Sequence, residues 1–82
     1  MKVQVRYFAS IREALGPGEV LETQSATLGA LRDELIARGG PHRESLARGR
    51  ALRMALDQVM ADESSALHDG AEVAFFPPVT GG

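Results

Sequence analysis

Apolar and polar positions alternate from the start of the chain: Val3, Val5 and Tyr7 are interleaved with Lys2, Gln4 and Arg6. A period of two is that of a half-buried strand, so residues 2–7 are predicted as the first one. Ser10 to Leu15 opens with a capping-type residue, continues with helix formers and is stopped by Gly16-Pro17-Gly18, which predicts one or two helical turns. Glu19 to Gln24 returns to an extended pattern around Val20, Leu21 and the β-branched Thr23. Thr27 then has the character of an N-cap, and Leu28, Leu31, Leu35 and Ile36 follow at helical spacing until Gly39. The main helix is therefore expected over roughly residues 27–38. Residues 41–49 are expected as loop, with a short helical turn around 44–47. Leu52, Met54 and Leu56 alternate with Arg53, Ala55 and Asp57 as a third strand, and Val59-Met60 reads as a brief fourth. Asp69-Gly70 closes a turn region, and residues 72–76 form the last strand.

Strand, strand, helix, strand, short strand, strand is an α+β order: one main helix packed across one mixed sheet of four to five strands. The order matches the ubiquitin-like β-grasp, in which the first and last strands lie side by side and parallel at the centre of the sheet. The domain is assigned to residues 1–76, with 77–82 as an extended tail.

Side-chain alternation carries the reading further. If Val3, Val5 and Tyr7 face the helix, Phe8 faces the other way with Lys2, Gln4 and Arg6. By the same count Val73 and Phe75 face the core, and Ala74 and Phe76 face outward. Neighbouring first and last strands would bring Phe8 and Phe76 together on a face that no predicted helix covers. Met60 would extend the patch. An exposed apolar patch of this kind marks a partner surface.

The chain has 82 residues, a formal net charge of −2 and no cysteine. Its length bounds it to one domain with a modest core. The missing cysteines exclude disulfides and thiolate chemistry and fit a reducing cytoplasm. The acidic balance argues against nucleic-acid binding. No apolar run is long enough for a bilayer span, and the alternating start is unlike a signal peptide. Arg43, Arg48, Arg50 and Arg53 are interleaved with apolar residues and read as solvated surface.

Catalytic constellations are missing from the pattern. His42 and His68 have no second ligand at metal spacing and read as surface histidines. Ser10, Ser25, Ser45, Ser64 and Ser65 lack a base with an orienting acid. Asp33-Glu34 and Asp62-Glu63 are adjacent pairs whose carboxylates diverge, and Gly16-Pro17-Gly18 and Gly39-Gly40-Pro41 are turns rather than phosphate loops. The unusual feature is the ending, Phe75-Phe76-Pro77-Pro78-Val79-Thr80-Gly81-Gly82. It reads as an aromatic anchor, a stiff polyproline-type stem and a tip slender enough for a narrow channel. The expected functional group is the unhindered terminal carboxylate of Gly82.

That octapeptide, preceded by Asp69-Gly70-Ala71-Glu72-Val73-Ala74, closely resembles the small-subunit family of molybdopterin synthases. Tyr7-Phe8-Ala9-Ser10-Ile11-Arg12-Glu13 is similar to the same family's first strand and turn. The resemblance implies that an adenylating enzyme uses ATP to activate the Gly82 carboxylate. A sulfur donor then displaces AMP to leave a thiocarboxylate. The tail threads into the large subunit of a heterotetrameric synthase and delivers sulfur to cyclic pyranopterin monophosphate, forming the molybdopterin dithiolene. In this scheme the chain itself binds no cofactor and no metal. Gly82 carries the sulfur, Gly81 gives clearance, Thr80 and Val79 line the channel, and Pro78 and Pro77 aim the stem. Phe76, with Phe8 and Met60, forms the interface. Rival readings are a sulfur carrier for thiazole synthesis, a ubiquitin-like modifier of lysines and a passive β-grasp binding module. Thiazole-pathway carriers are generally shorter and lack Phe-Phe-Pro-Pro before the tip.

Overall fold

A computed structural model describes residues 1–78 and contains five strands and three helices in one α+β domain. The strands are β1 (Lys2–Tyr7), β2 (Gly18–Glu22), β3 (Arg53–Leu56), β4 (Val59–Ala61) and β5 (Glu72–Phe76); the helices are α1 (Ala9–Leu15), α2 (Leu28–Ile36) and α3 (Gly40–Leu46). The sheet order is β2-β1-β5-β3-β4, with β1 and β5 parallel at the centre and the other pairs antiparallel. This is the β-grasp arrangement expected from the element order.

The period-two pattern of β1 is realised in full: Val3, Val5 and Tyr7 are buried and Lys2, Gln4 and Arg6 are exposed. Val73 and Phe75 of β5 join them beneath Leu28, Leu31 and Leu35 of α2, with Ile11 and Leu46 closing the core from α1 and α3. Fully burying each large side chain of this kind contributes about 1.5–3 kcal/mol. Thr27 caps α2 as anticipated, its hydroxyl accepting from the Ala30 N–H at 3.2 Å. Gly18 opens β2 with φ +153°, and a Cβ there would lie 2.3 Å from the Val5 carbonyl oxygen. Only glycine lets β2 approach β1 this closely.

Three expectations need correction. Residues 41–49 are not mainly loop: α3 runs over Gly40–Leu46. Gly39 turns the chain with φ +74°, and Pro41 lies in the first turn, where a missing N–H leaves no hydrogen bond unmade. The main helix ends at Ile36 rather than near residue 38, and its length is nine residues. β2 ends at Glu22, because Thr23 turns inward instead of continuing the edge. Thr23 is buried, and its hydroxyl donates to the Glu34 carboxylate, which also accepts from Ser25 Oγ at 2.8 Å.

Among the described residues Arg32 is the one buried charged side chain, only 4% exposed. Its guanidinium donates to the carbonyl oxygens of Leu46 at 2.8 Å, Ala47 at 2.6 Å and Arg50 at 3.0 Å. It therefore satisfies the end of α3 and the segment that leads into β3. Burial lowers its pKa, and the nearby charge of Arg48 acts in the same direction. Among the described residues no helix is long and apolar enough to cross a membrane.

Candidate functional site

The face of the sheet opposite α2 is uncovered, and its centre is built at the ends of the two central strands. Phe8 follows β1 directly and its N–H donates to the Phe75 carbonyl at 3.2 Å, extending the parallel ladder by one step. That step places the Phe8 ring against Phe76, the last residue of β5: the ring centroids are 5.1 Å apart with planes inclined by 29°. Offset stacking at this separation is favourable beyond area burial alone. The Arg6 guanidinium carbon lies 5.8 Å from the Phe8 centroid, within cation–π range, while Arg6 also pairs with Glu72 at 3.6 Å.

Next to the stack, Arg6, Ala74, Ala55 and Met60 occupy one register row across β1, β5, β3 and β4. Small side chains at Ala74 and Ala55 make this row low, and Met60, 55% exposed, rises at its far end. Arg53 is opposite Phe76 in the adjacent row. The result is an aromatic anchor, a shallow apolar floor and a basic border. Phe8, Phe76 and Met60 thus lie on one face of the sheet, Phe8 and Phe76 half-buried and Met60 exposed, with Ala74 and Ala55 buried between them.

Pro77 is half-buried and Pro78 exposed, and both border a cleft of about 360 Å³ that also includes Ser10, Ile11, Ser45 and Leu52. The stem therefore leaves the domain at the seam between the uncovered sheet face and the α1–α3 side. Val79, Thr80, Gly81 and Gly82 lie outside the described residues.

Several polar side chains outside this face act within the fold. His42 is not a free surface histidine. Its ring meets Tyr7 edge-on at 6.3 Å, and Nε2 is 3.7 Å from the Glu19 carboxylate. Glu19 also accepts from Tyr7 Oη at 3.3 Å and from Arg38, whose hydrogen bond is the main reason that the Glu19 pKa is lowered. Burial next to Glu19 drives the Tyr7 phenol far above its ordinary range. His68 is exposed and bonded to Asp57. Arg48 is more than solvated surface, since it bridges Asp33, Glu63 and the Gly29 carbonyl. Among the described residues no group of three histidine or acidic side chains could hold a metal ion. The pattern along the chain did not point to Arg6 beside the stack. Its only signal there is its place two residues before Phe8 on the outward face.

Residues 5–82 match the ThiS family. The chain belongs to that family. Among its relatives is a molybdopterin synthase sulfur carrier subunit of Haemophilus influenzae, 40% identical over 98% of this chain and 99% of its own. Another is small archaeal modifier protein 3 of Haloferax volcanii, 34% identical over the full length of both chains. The ThiS-family fold also recurs in a solved complex of subunits 1 and 2 of the molybdopterin-converting factor from Helicobacter pylori, with TM-score 0.70, 29% identity and full coverage of both chains.

Proposed function

We propose that this chain is the sulfur carrier subunit of a molybdopterin synthase and that the carboxylate of Gly82 is its working group. The observation that carries the reading is the Phe8–Phe76 stack on an uncovered sheet face, set at the root of the Pro77-Pro78 stem. A partner that grips this anchor holds the stem at a fixed angle, which lowers the entropic barrier to placing a remote carboxylate in its active site. The kinship with named carrier subunits, and with one chain of a two-subunit complex, supports a large-subunit partner.

The chemistry follows from a division of labour. The domain supplies the grip, and the catalytic side chains belong to partners. An adenylating enzyme consumes ATP: the Gly82 carboxylate attacks the α-phosphorus, pyrophosphate leaves and an acyl-adenylate forms. A sulfur donor attacks the acyl carbon and AMP departs, leaving the thiocarboxylate. In the large subunit of a heterotetramer, each thiocarboxylate passes its one sulfur to cyclic pyranopterin monophosphate, and two such deliveries supply the two sulfur atoms of the dithiolene. Gly81 and Gly82 keep the reacting carbonyl unhindered, Thr80 and Val79 line the channel, and Pro77 and Pro78 aim the stem.

The test is the intact mass after incubation with ATP, adenylating enzyme and sulfur donor. A gain matching one oxygen-to-sulfur exchange is expected, and it should be absent when Gly82 is deleted. An unchanged mass in the presence of a demonstrably active adenylating enzyme overturns the carrier reading. A second reading, a protein modifier whose Gly82 forms isopeptides, is favoured by the 34% identity to the Haloferax volcanii modifier. It predicts the same adenylate followed by transfer to lysine rather than to a pterin.

A further inference from the structure

Of the nine basic side chains, eight are arginine and only Lys2 is lysine. The distinction matters for a protein that carries an activated acyl group. A guanidinium stays protonated and does not attack acyl carbon, whereas a lysine amine gives up its proton and becomes a nucleophile. The surface is thus almost free of side chains that could intercept a neighbouring copy's acyl-adenylate.

The exception is well presented. Lys2 is exposed on the uncovered face, and among the described residues its ammonium has no hydrogen bond or ion pair. Its backbone is fixed: the N–H donates to Asp69 Oδ1 at 2.7 Å and the carbonyl accepts from Gly70 at 2.7 Å. The competing amine at Met1 is tied down, donating to the Thr23 carbonyl at 3.0 Å and pairing with Glu22 at 3.4 Å. Gln4 is in register with Glu72, so Lys2 lies two residue steps below that pair and Phe76 four steps above it. Lys2 is therefore about 20 Å from the root of the tail, along parallel strands. A partner seated on Phe8 and Phe76 holds the opposite end of the face.

We propose that Lys2 is the single side chain through which this protein is acylated by an activated copy of itself. The product is a head-to-tail isopeptide from Gly82 of one molecule to Lys2 of the next. The proposal rests on the reading that Gly82 is adenylated. The neutral Lys2 amine attacks the acyl carbon of the adenylate and a C–N bond forms. The acyl C–O bond to AMP breaks with its electron pair leaving on AMP, and the amine proton passes to water.

The experiment incubates the full chain with ATP and adenylating enzyme, omitting the sulfur donor. Wild type, Lys2→Arg and a Gly82 deletion are compared, and hydroxylamine in parallel reactions traps the adenylate as a hydroxamate. Wild type is expected to form a ladder resistant to reductant. Trypsin should release a branched peptide joining residues 1–6 to residues 54–82 through Lys2. Lys2→Arg should form hydroxamate at the wild-type level and lose the ladder. A ladder that persists in Lys2→Arg, a branch mapped to Met1, or hydroxamate without any ladder in wild type overturns the proposal. Hydroxamate absent from wild type removes the adenylation reading, and the proposal with it.

Discussion

Replacing Arg32 tests how the helical side of the molecule is held together. The side chain is buried and its hydrogen-bond partners are three backbone carbonyls, with the Glu63 carboxylate no closer than 3.9 Å. Hydrogen bonds to a charged donor net about 1.5–3 kcal/mol each, and a buried carbonyl left without a partner costs about 1–3 kcal/mol. The three bonds share one guanidinium whose desolvation opposes them, so they do not add. The expected loss for Arg32→Ala is about 2–4 kcal/mol, because what is left unpaired is neutral carbonyl oxygen, buried at Leu46 and part-buried at Ala47 and Arg50. A 3 kcal/mol loss lowers Tm by about 12–24 °C in a domain of this size. Arg32→Met separates packing from capping, because it restores the aliphatic stem but leaves the same carbonyls unpaired. A fully apolar swap is often harmless for a side chain–side chain ion pair, since both partners can be replaced. Here the partners are backbone and stay. Urea and thermal melts should therefore place Met between Ala and wild type, closer to Ala. If Met matches wild type, or Ala loses less than about 1 kcal/mol, the carbonyl cluster does not hold α3 and the reasoning is wrong.

Three further outcomes are expected. Gly18→Ala should destabilise by about 1–3 kcal/mol or more, because its Cβ meets the Val5 carbonyl at 2.3 Å on a glycine-type backbone, while Gly49→Ala, with open space around it, should be neutral; equal melting temperatures for the two would refute this. Phe76→Ala should weaken binding to the large synthase subunit by about 2 kcal/mol or more, roughly 30-fold, with little change in melting because the ring is half-exposed; titration calorimetry with wild-type affinity would remove it from the interface. The His68 imidazole should titrate above its ordinary value of about 6.5, chiefly through its hydrogen bond to Asp57 and secondarily through the Asp69 carbonyl. A raised folded pKa means that its stabilisation is complete below the unfolded value and fades as pH rises through the folded one. Ring-proton NMR should show the midpoint falling back in Asp57→Asn, and no movement would break the assignment.

What could be read from the chain alone follows the range of the interactions involved. β1 and the α2 stripe were legible because their burial is periodic within a few residues: Val3, Val5 and Tyr7 in one, Leu28, Leu31 and Leu35 in the other. The Phe8–Phe76 pair was legible because alternation on two strands needs only one further assumption, that they are neighbours. α3 was not, since Gly39-Gly40-Pro41 reads locally as a turn and the helix is held by Leu46 in the core and by Arg32 from another helix. Arg32 itself was hidden because a charged residue on a helix ordinarily faces water. The Glu34 contacts to Thr23 and Ser25 were hidden for the same reason.

The position of β5 sets an order of events in the life of the molecule. Among the described residues it is the last strand to be made and the central strand of the sheet, joining the β1–β2 hairpin on one side to the β3–β4 hairpin on the other. Until it docks, the two hairpins share no strand edge and Phe76 has no Phe8 to stack on. A ribosome that has released β1 through β4 still holds the piece that unites them, so folding is completed only when synthesis of this strand is over. The parallel pairing of Tyr7 with Phe75 spans nearly the whole chain, and such long-range closure comes late. The grip for a partner and the root of the tail are therefore assembled in one step, and a nascent or misfolded copy presents neither.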